Sequence, residues 1–164
     1  MLRRSLLASA LVLPFATGAF AQGSNTPEGV VRALYAAHMR AIAARNPARG
    51  VLDDPRLLQR FFSPGIESGV RRLRRGGRTT TDALGFDPIT DSRDQQISDL
   101  RVRLFDGGAV HSLVDAEFRA GARNVRLRYQ VSLVGDDWLV AGIEKIPARG
   151  EQGWSLNERL DRRR

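Results

Sequence analysis

Apolar and polar positions change their period once along this chain, near residue 97, and that change predicts helices first and strands after. From Thr26 the text TPEGVVRALYAAHMRAIAARN sets Val31, Leu34, Tyr35, His38 and Ile42 at intervals of three and four, the spacing of an amphipathic helix with one buried stripe. Thr26 suits the N-cap, Pro27 the first helical position and Glu28 the first turn, where the helix dipole favours an acid, so this helix is predicted to run to about Arg45. Asp54-Pro55 repeats the start signal, and Leu57, Leu58, Phe61 and Phe62 form a short sticky face that Ser63-Pro64 halts. A further short helix is predicted from Pro64 to Arg75, closed by Gly76-Gly77.

Residues 79 to 96, TTTDALGFDPITDSRDQQ, are polar and rich in turn formers, and the sequence reads as a long connection. Beyond it the period becomes two. SDLRVRLF, AVHSLVDAEFR, NVRLRYQVSLV and WLVAGIEKI, separated by Asp106-Gly107-Gly108, a turn near Gly121 and Gly135-Asp136-Asp137, predict four antiparallel strands. In the third, Val125, Leu127, Tyr129, Val131 and Leu133 alternate with Arg126, Arg128, Gln130 and Ser132, giving one apolar and one wet sheet face. Ser155 and Glu158 have capping-box spacing, which predicts a last helical turn docking Trp154, Leu156 and Leu160. The expected fold class is therefore α+β, N-terminal helices packed on a curved antiparallel sheet of about four strands.

The start of the chain changes the picture of where this domain works. Arg3 and Arg4 precede an apolar run from Leu6 to about Phe20, broken by Pro14 and Gly18, and Ala19-Phe20-Ala21 has the form of a cleavage site. These are the parts of a removable leader, so residues 1–21 are expected to be a signal peptide and 22–164 a single domain in the periplasm or secreted. The arginine pair also fits a twin-arginine leader. No stretch after Gln22 is apolar for the roughly 20 residues that a spanning helix needs.

Charge and composition narrow the chemistry. Formal charge is +8, or +6 without the two leader arginines, which favours anionic partners. There is no cysteine and there are two histidines, which excludes thiol catalysis, cysteine zinc sites and a three-histidine metal centre. The acids of the long connection, Asp82, Asp87, Asp91 and Asp94, lack the spacing and glycine turn of a calcium loop. Their expected roles are local, with Asp87 starting a turn before Pro88, Asp91 capping one above Ser92, and Asp94 pairing with arginines. No serine-hydrolase elbow, phosphate loop or dinucleotide fingerprint is present. No metal and no cofactor is expected.

The order of these segments resembles the DUF3828 family of exported bacterial proteins of unknown function, whose fold is similar to the NTF2-like cone. The resemblance rests on the opening helix with its tyrosine, on Arg60-Phe61-Phe62-Ser63-Pro64, on FDPITDSRDQQI (residues 86 to 97), on the strand from Trp138 to Ile146 and on Ser155-Leu156. It covers residues 27–160 and implies a curved sheet wrapped on helices around an open mouth. Such cones serve both as binding modules and as small enzymes, so the fold does not decide the function.

Three groups are candidates for a site. Tyr35, His38 and Tyr129 could line the hollow of such a cone and bind a ligand, or close its core by hydrogen bonds. His111, Asp115 and Glu117 have one parity on the second strand and could form an acid–base group, or simply a solvated face. Arg71, Arg72, Arg74, Arg75 and Arg78 form the densest charge feature; on a continued helix, Arg71, Arg74, Arg75 and Arg78 would share a side and clamp phosphate or carboxylate. No stacking aromatics interleave them, which argues against nucleic acid.

The expected function is an exported module that binds a small apolar ligand, a protein partner or the anionic envelope. The alternatives are a small lyase or isomerase using His38 or His111 as base with an aspartate or tyrosine opposite, Glu117 being a further weak catalytic candidate, and a secreted effector or inhibitor. Edge strands leave a homodimer open.

Overall fold

The computed structural model describes residues 25–44, 50–93 and 96–162. The expected signal peptide, Arg45, Asp94 and the last two arginines lie outside them. Among the described residues four helices precede the sheet: α1 Pro27–Ala43, α2 Pro55–Phe61, α3 Pro64–Leu73 and α4 Thr80–Leu84. The strands are β1 Ser98–Gly107, β2 His111–Ala120, β3 Arg123–Val134, β4 Asp137–Lys145 and β5 Trp154–Ser155, and α5 Leu156–Asp161 closes the order. Each strand pairs antiparallel with the next, giving one open sheet in the order β1-β2-β3-β4-β5. The α+β layer arrangement is thus present, with five strands rather than four; β5 has only two residues and no alternation to announce it.

The helices begin where their capping chemistry is. The Thr26 hydroxyl accepts the Gly29 N–H at 3.0 Å, and Asp54 accepts those of Arg56 and Leu57, groups that a helix start otherwise leaves without partners. In α4, Thr79 caps Asp82 N–H and Gly85 ends the helix in a left-handed conformation at φ 88°. Five residues are too few to show a helical period, so the sequence reads this piece as loop. Helix α3 ends at Leu73, two residues short of expectation, because the chain turns at Arg74 before the two positive-φ glycines, Gly76 and Gly77.

The core lies between the helices and one sheet face. Val31, Leu34, Tyr35 and His38 of α1 are buried against Val114, Ala116 and Phe118 of β2, Leu127 and Tyr129 of β3, and Val140 and Ile143 of β4. Fully burying a side chain such as Leu34 contributes roughly 1.5–3 kcal/mol, so this two-layer contact supplies most of the driving force. Ile42, expected on the buried stripe, is only half-buried. An extra residue of β4, Ala141, sits opposite Gln130 and Val131, and Leu133, near the β3–β4 hairpin, is only half-buried.

Candidate functional site

One polar group of the interior lies between α1, β3 and the segment around Asp87. Spacing of three on α1 sets Tyr35 and His38 on one face, and β3 brings Tyr129 against Tyr35. Tyr129 donates to the Tyr35 hydroxyl at 2.9 Å, and Tyr35 donates to the Ile89 carbonyl at 3.1 Å. The two rings meet edge to face with centroids 6.0 Å apart. Burial pushes both hydroxyls well above the usual tyrosine range, with the Tyr129 neighbour and the Asp87 charge adding to the effect on Tyr35. Neither phenol therefore serves as a base near neutral pH.

His38 is held on both sides. Its Nδ1 accepts the Val51 N–H at 3.4 Å, and its Nε2 stands 3.2 Å from Asp87 Oδ2, in polar contact though out of line for a hydrogen bond. The Val51 donor assigns the lone pair to Nδ1 and the proton to Nε2, facing the carboxylate. A general base needs a lone pair turned to its substrate, and the lone pair of His38 is turned to the backbone. Asp87 also accepts the Ile89 N–H at 2.8 Å, as a turn-starting aspartate does. Gly50 packs directly on the imidazole, where a Cβ would fall 2.8 Å from Cε1.

Tyr35, His38 and Tyr129, candidates for the lining of a hollow, are each at most 1 % exposed, with the two tyrosines in contact and His38 held by Val51 and Asp87. They fill the space between helices and sheet, and none lines the three surface grooves described below. The segment from Phe86 to Ser92 is what seals it. Besides Asp87 and Ile89, it contributes Asp91, which accepts the Trp154 indole N–H at 2.7 Å and lies 3.1 Å from Lys145 Nζ. Asp91 was expected to cap its own turn, and instead ties α1's cover to β4 and β5.

The opposite face of the sheet is open and charged. Cross-strand registers place Arg103, Asp115, Arg128 and Glu144 in one row, and Arg101, Glu117 and Arg126 in the next. Asp115 is the anchor: Arg126 and Arg128 both donate to it, and it is only 4 % exposed. Burial alone would raise its pKa, but the hydrogen bonds and charges of Arg128 and Arg126 more than offset that and hold it below the usual carboxylate range. The Phe105 ring lies 3.5 Å from the Arg128 guanidinium carbon, a cation–π contact that covers this pair.

The acid–base group drawn from β2 is therefore not assembled. His111, Asp115 and Glu117 share the outer face as their parity predicts, yet Asp115 is clamped by two arginines and Glu117 is engaged by Arg103 and Arg126. His111 Nδ1 instead meets the Ser132 hydroxyl at 2.9 Å, at the exposed start of β2. His38 is in the core and His111 on the far face, so the two histidines do not converge.

The arginine cluster also separates. Arg71 pairs with Glu67 along α3, Arg74 turns in to the buried Asp53 at 3.2 Å, and Arg78 donates to the Asp82 carbonyl. Because the helix stops at Leu73, Arg74, Arg75 and Arg78 do not continue its face, and the expected four-arginine clamp is not formed. Asp53 carries two further bonds from Thr80, yet burial outweighs these and Arg74 and leaves its pKa raised.

Surface grooves among the described residues are the remaining candidates. One of about 570 Å³ lies at the β2–β3 end of the outer face, between Arg101, Arg119, Asn124 and Arg126 and the segment from Ile146 to Glu151. A second of about 630 Å³ runs between the start of α1, α2 and the β3–β4 hairpin, past Arg60, Asp137 and Trp138. The third, about 240 Å³, lies beside His111 and Ser132. Sequence reasoning missed the first, because its members come from β1, β2, β3 and the loop after β4; the parity of Arg101, Glu117 and Arg126 was the only signal. Among the described residues there is no group of three metal-ligating side chains, and no helix long and apolar enough to cross a membrane. Compared with protein-family models, curated proteins and solved structures, the chain has no significant match.

Proposed function

We propose that this protein is a non-enzymatic binding domain of the cell envelope or exterior, and that it works through the open face of its sheet. The observation that carries this reading is the groove beside Arg101 and Arg119, where uncommitted cations meet an apolar loop. The sealed interior favours an external site over a ligand held inside the cone, and the orientation of His38 favours binding over acid–base chemistry. The kinship with DUF3828 and the NTF2-like cone belongs to the same proposal, supported by helices followed by an antiparallel meander. So does export, supported by the leader-like first 21 residues.

Native mass spectrometry of the protein purified gently from the exported fraction tests the reading. A retained molecule that is lost in Arg126→Glu, on the outer face, and kept in Arg71→Glu, on the helical side, is the expected result. A molecule indifferent to the first substitution and lost with the second would refute it, as would an unliganded mass in every sample.

Strand-to-strand dimerisation receives no support from the edges. The Arg32 guanidinium donates to the Val102 carbonyl of β1 at 2.6 Å, and β1 carries a bulge between Leu104 and Asp106. The other edge, β5, is two residues long. Side-chain capping, bulges and short edges are the devices that prevent sheets from adding strands.

A further inference from the structure

We propose that the 570 Å³ groove takes a small amphiphilic anion, with a carboxylate or phosphate monoester held between Arg101 and Arg119 and an apolar stem lying along Ile146 and Pro147. This rests on the reading of the outer face as the binding surface and names its ligand class.

The charge arrangement carries the inference. Arg101 faces Glu117 across the β1–β2 ladder, Arg119 is two residues further along the same face of β2, beside the register shift between Ser98 and Arg101, and both cations line the groove. Glu117 would be their natural partner, but its carboxylate is taken by Arg103 at 2.8 Å and approached by Arg126 at 3.7 Å. Glu151, on the opposite wall, is held by Lys145 at 2.9 Å, which keeps it below the usual carboxylate range. Asp99 is the remaining acid of the lining and bonds only Ser98 Oγ. No described acid lies within ion-pair distance of Arg101 or Arg119, so these two guanidiniums stand unpaired although the lining carries three arginines and three acids. Two like charges held side by side are relieved by an anion between them, and guanidinium forks match carboxylate and phosphate oxygens.

The other wall selects for more than charge. Ile146, Pro147 and Ala148 line it, and Pro147 lies 3.3 Å from the position a Cβ on Gly153 would take, so the following segment is packed close behind this wall. A groove of this size matches small-ligand sites, which are commonly several hundred Å³ with few polar groups placed to fix orientation.

The probes are decyl phosphate and decanoate below their micelle concentrations, with decanol and inorganic phosphate as the stem and the head alone, added to the full protein and followed by amide chemical shifts. Both amphiphiles are expected to saturate with Kd of about 0.1–1 mM, a range typical of weak small-ligand binding, and to shift Arg101, Arg119, Asn124 and Ala148. Arg101→Gln and Arg119→Gln should each weaken them about tenfold, the worth of one charge-assisted bond. Ile146→Ser should weaken the amphiphiles and leave the response to inorganic phosphate unchanged, and unaltered circular dichroism confirms that each variant folds.

Decanol binding as tightly as decanoate would overturn the proposal, and so would inorganic phosphate binding as tightly as decyl phosphate. Adsorption to phosphatidylglycerol vesicles without saturable binding of the monomeric amphiphile would overturn it too. If the amphiphiles fail while a co-purifying molecule is still lost in Arg126→Glu, only the ligand class falls; if both fail, the binding surface falls with it.

Discussion

Replacing Gly50 by alanine tests the packing of the interior with a sign rather than a size. Gly50 is not in the positive-φ region, so the backbone alone tolerates alanine there. At such sites the exchange ordinarily stabilises by about 0.4–1 kcal/mol, because it narrows the unfolded ensemble. The structure requires the opposite. The new Cβ would fall 2.8 Å from His38 Cε1 and 3.1 Å from Nδ1, distances that only a displacement can relieve. His38 is pinned by Val51 N–H and Asp87, and α1 beneath it is packed on four strands.

Overpacking of this kind costs about 1–3 kcal/mol, and loss of the Val51 bond adds about 1 kcal/mol. We expect Gly50→Ala to destabilise by about 2–4 kcal/mol. In a domain of this size each kcal/mol moves Tm by about 3–5 °C, so the change is readable by thermal or urea unfolding. The double variant His38→Ala/Gly50→Ala should be less destabilised than the sum of the singles, since the alanine then enters the space the imidazole leaves. A stabilised Gly50→Ala protein, or strict additivity in the cycle, would falsify the view of His38 as a clamped structural residue.

Three further outcomes follow from named contacts. Asp115 is depressed in the folded state, so its contribution is present above the unfolded carboxylate pKa and is lost as pH falls through the lower folded value. Urea midpoints of the wild type should therefore drop below about pH 4, and Asp115→Asn should show a shallower acid slope. Trp154→Phe keeps the tilted ring contact with Phe86, at 4.9 Å between centroids, and removes the donor to Asp91; a loss of about 1–2 kcal/mol is expected, with faster amide exchange in α5, and unchanged exchange would show that α5 docks without that bond. Arg32→Ala frees the Val102 carbonyl on β1; sedimentation velocity should show more self-association than the wild type, and equal sedimentation of both proteins would mean that the bulge and charges guard the edge unaided.

Much of the framework was legible before any coordinates. Thr26-Pro27-Glu28 and Asp54-Pro55 carry their helix starts within three residues, and the alternation from Val125 to Ser132 carries the two faces of β3, because capping and strand pleat are local physics. The capping signal at Thr79 and Asp82 was also in the text, but five residues offer no period to read. Bulges at Phe105 and Ala141 left no mark, since they depend on what the neighbouring strand can pair.

The candidate residues divide in the same way. Parity alone put Asp115 and Glu117 on the outer face, and composition alone removed cysteine, metal-triad and nucleotide-loop chemistry. Which arginine each acid would meet was not readable, because the partners lie on other strands: Arg126 and Arg128 reach Asp115 only once β2 and β3 are in register. The density of arginines from 71 to 78 read as one clamp, and the end of α3 at Leu73 with a buried acid beneath Arg74 divided it.

By itself, then, the sequence determined helix starts, strand faces, the α+β order and the excluded chemistries, all of which depend on residues near one another in the chain. Tertiary structure alone decided that the tyrosine–histidine group is sealed and that cations are left over beside an apolar loop. Burial and unmatched charge are properties of the whole packing, because each depends on which distant residue arrives first to fill the space or take the partner.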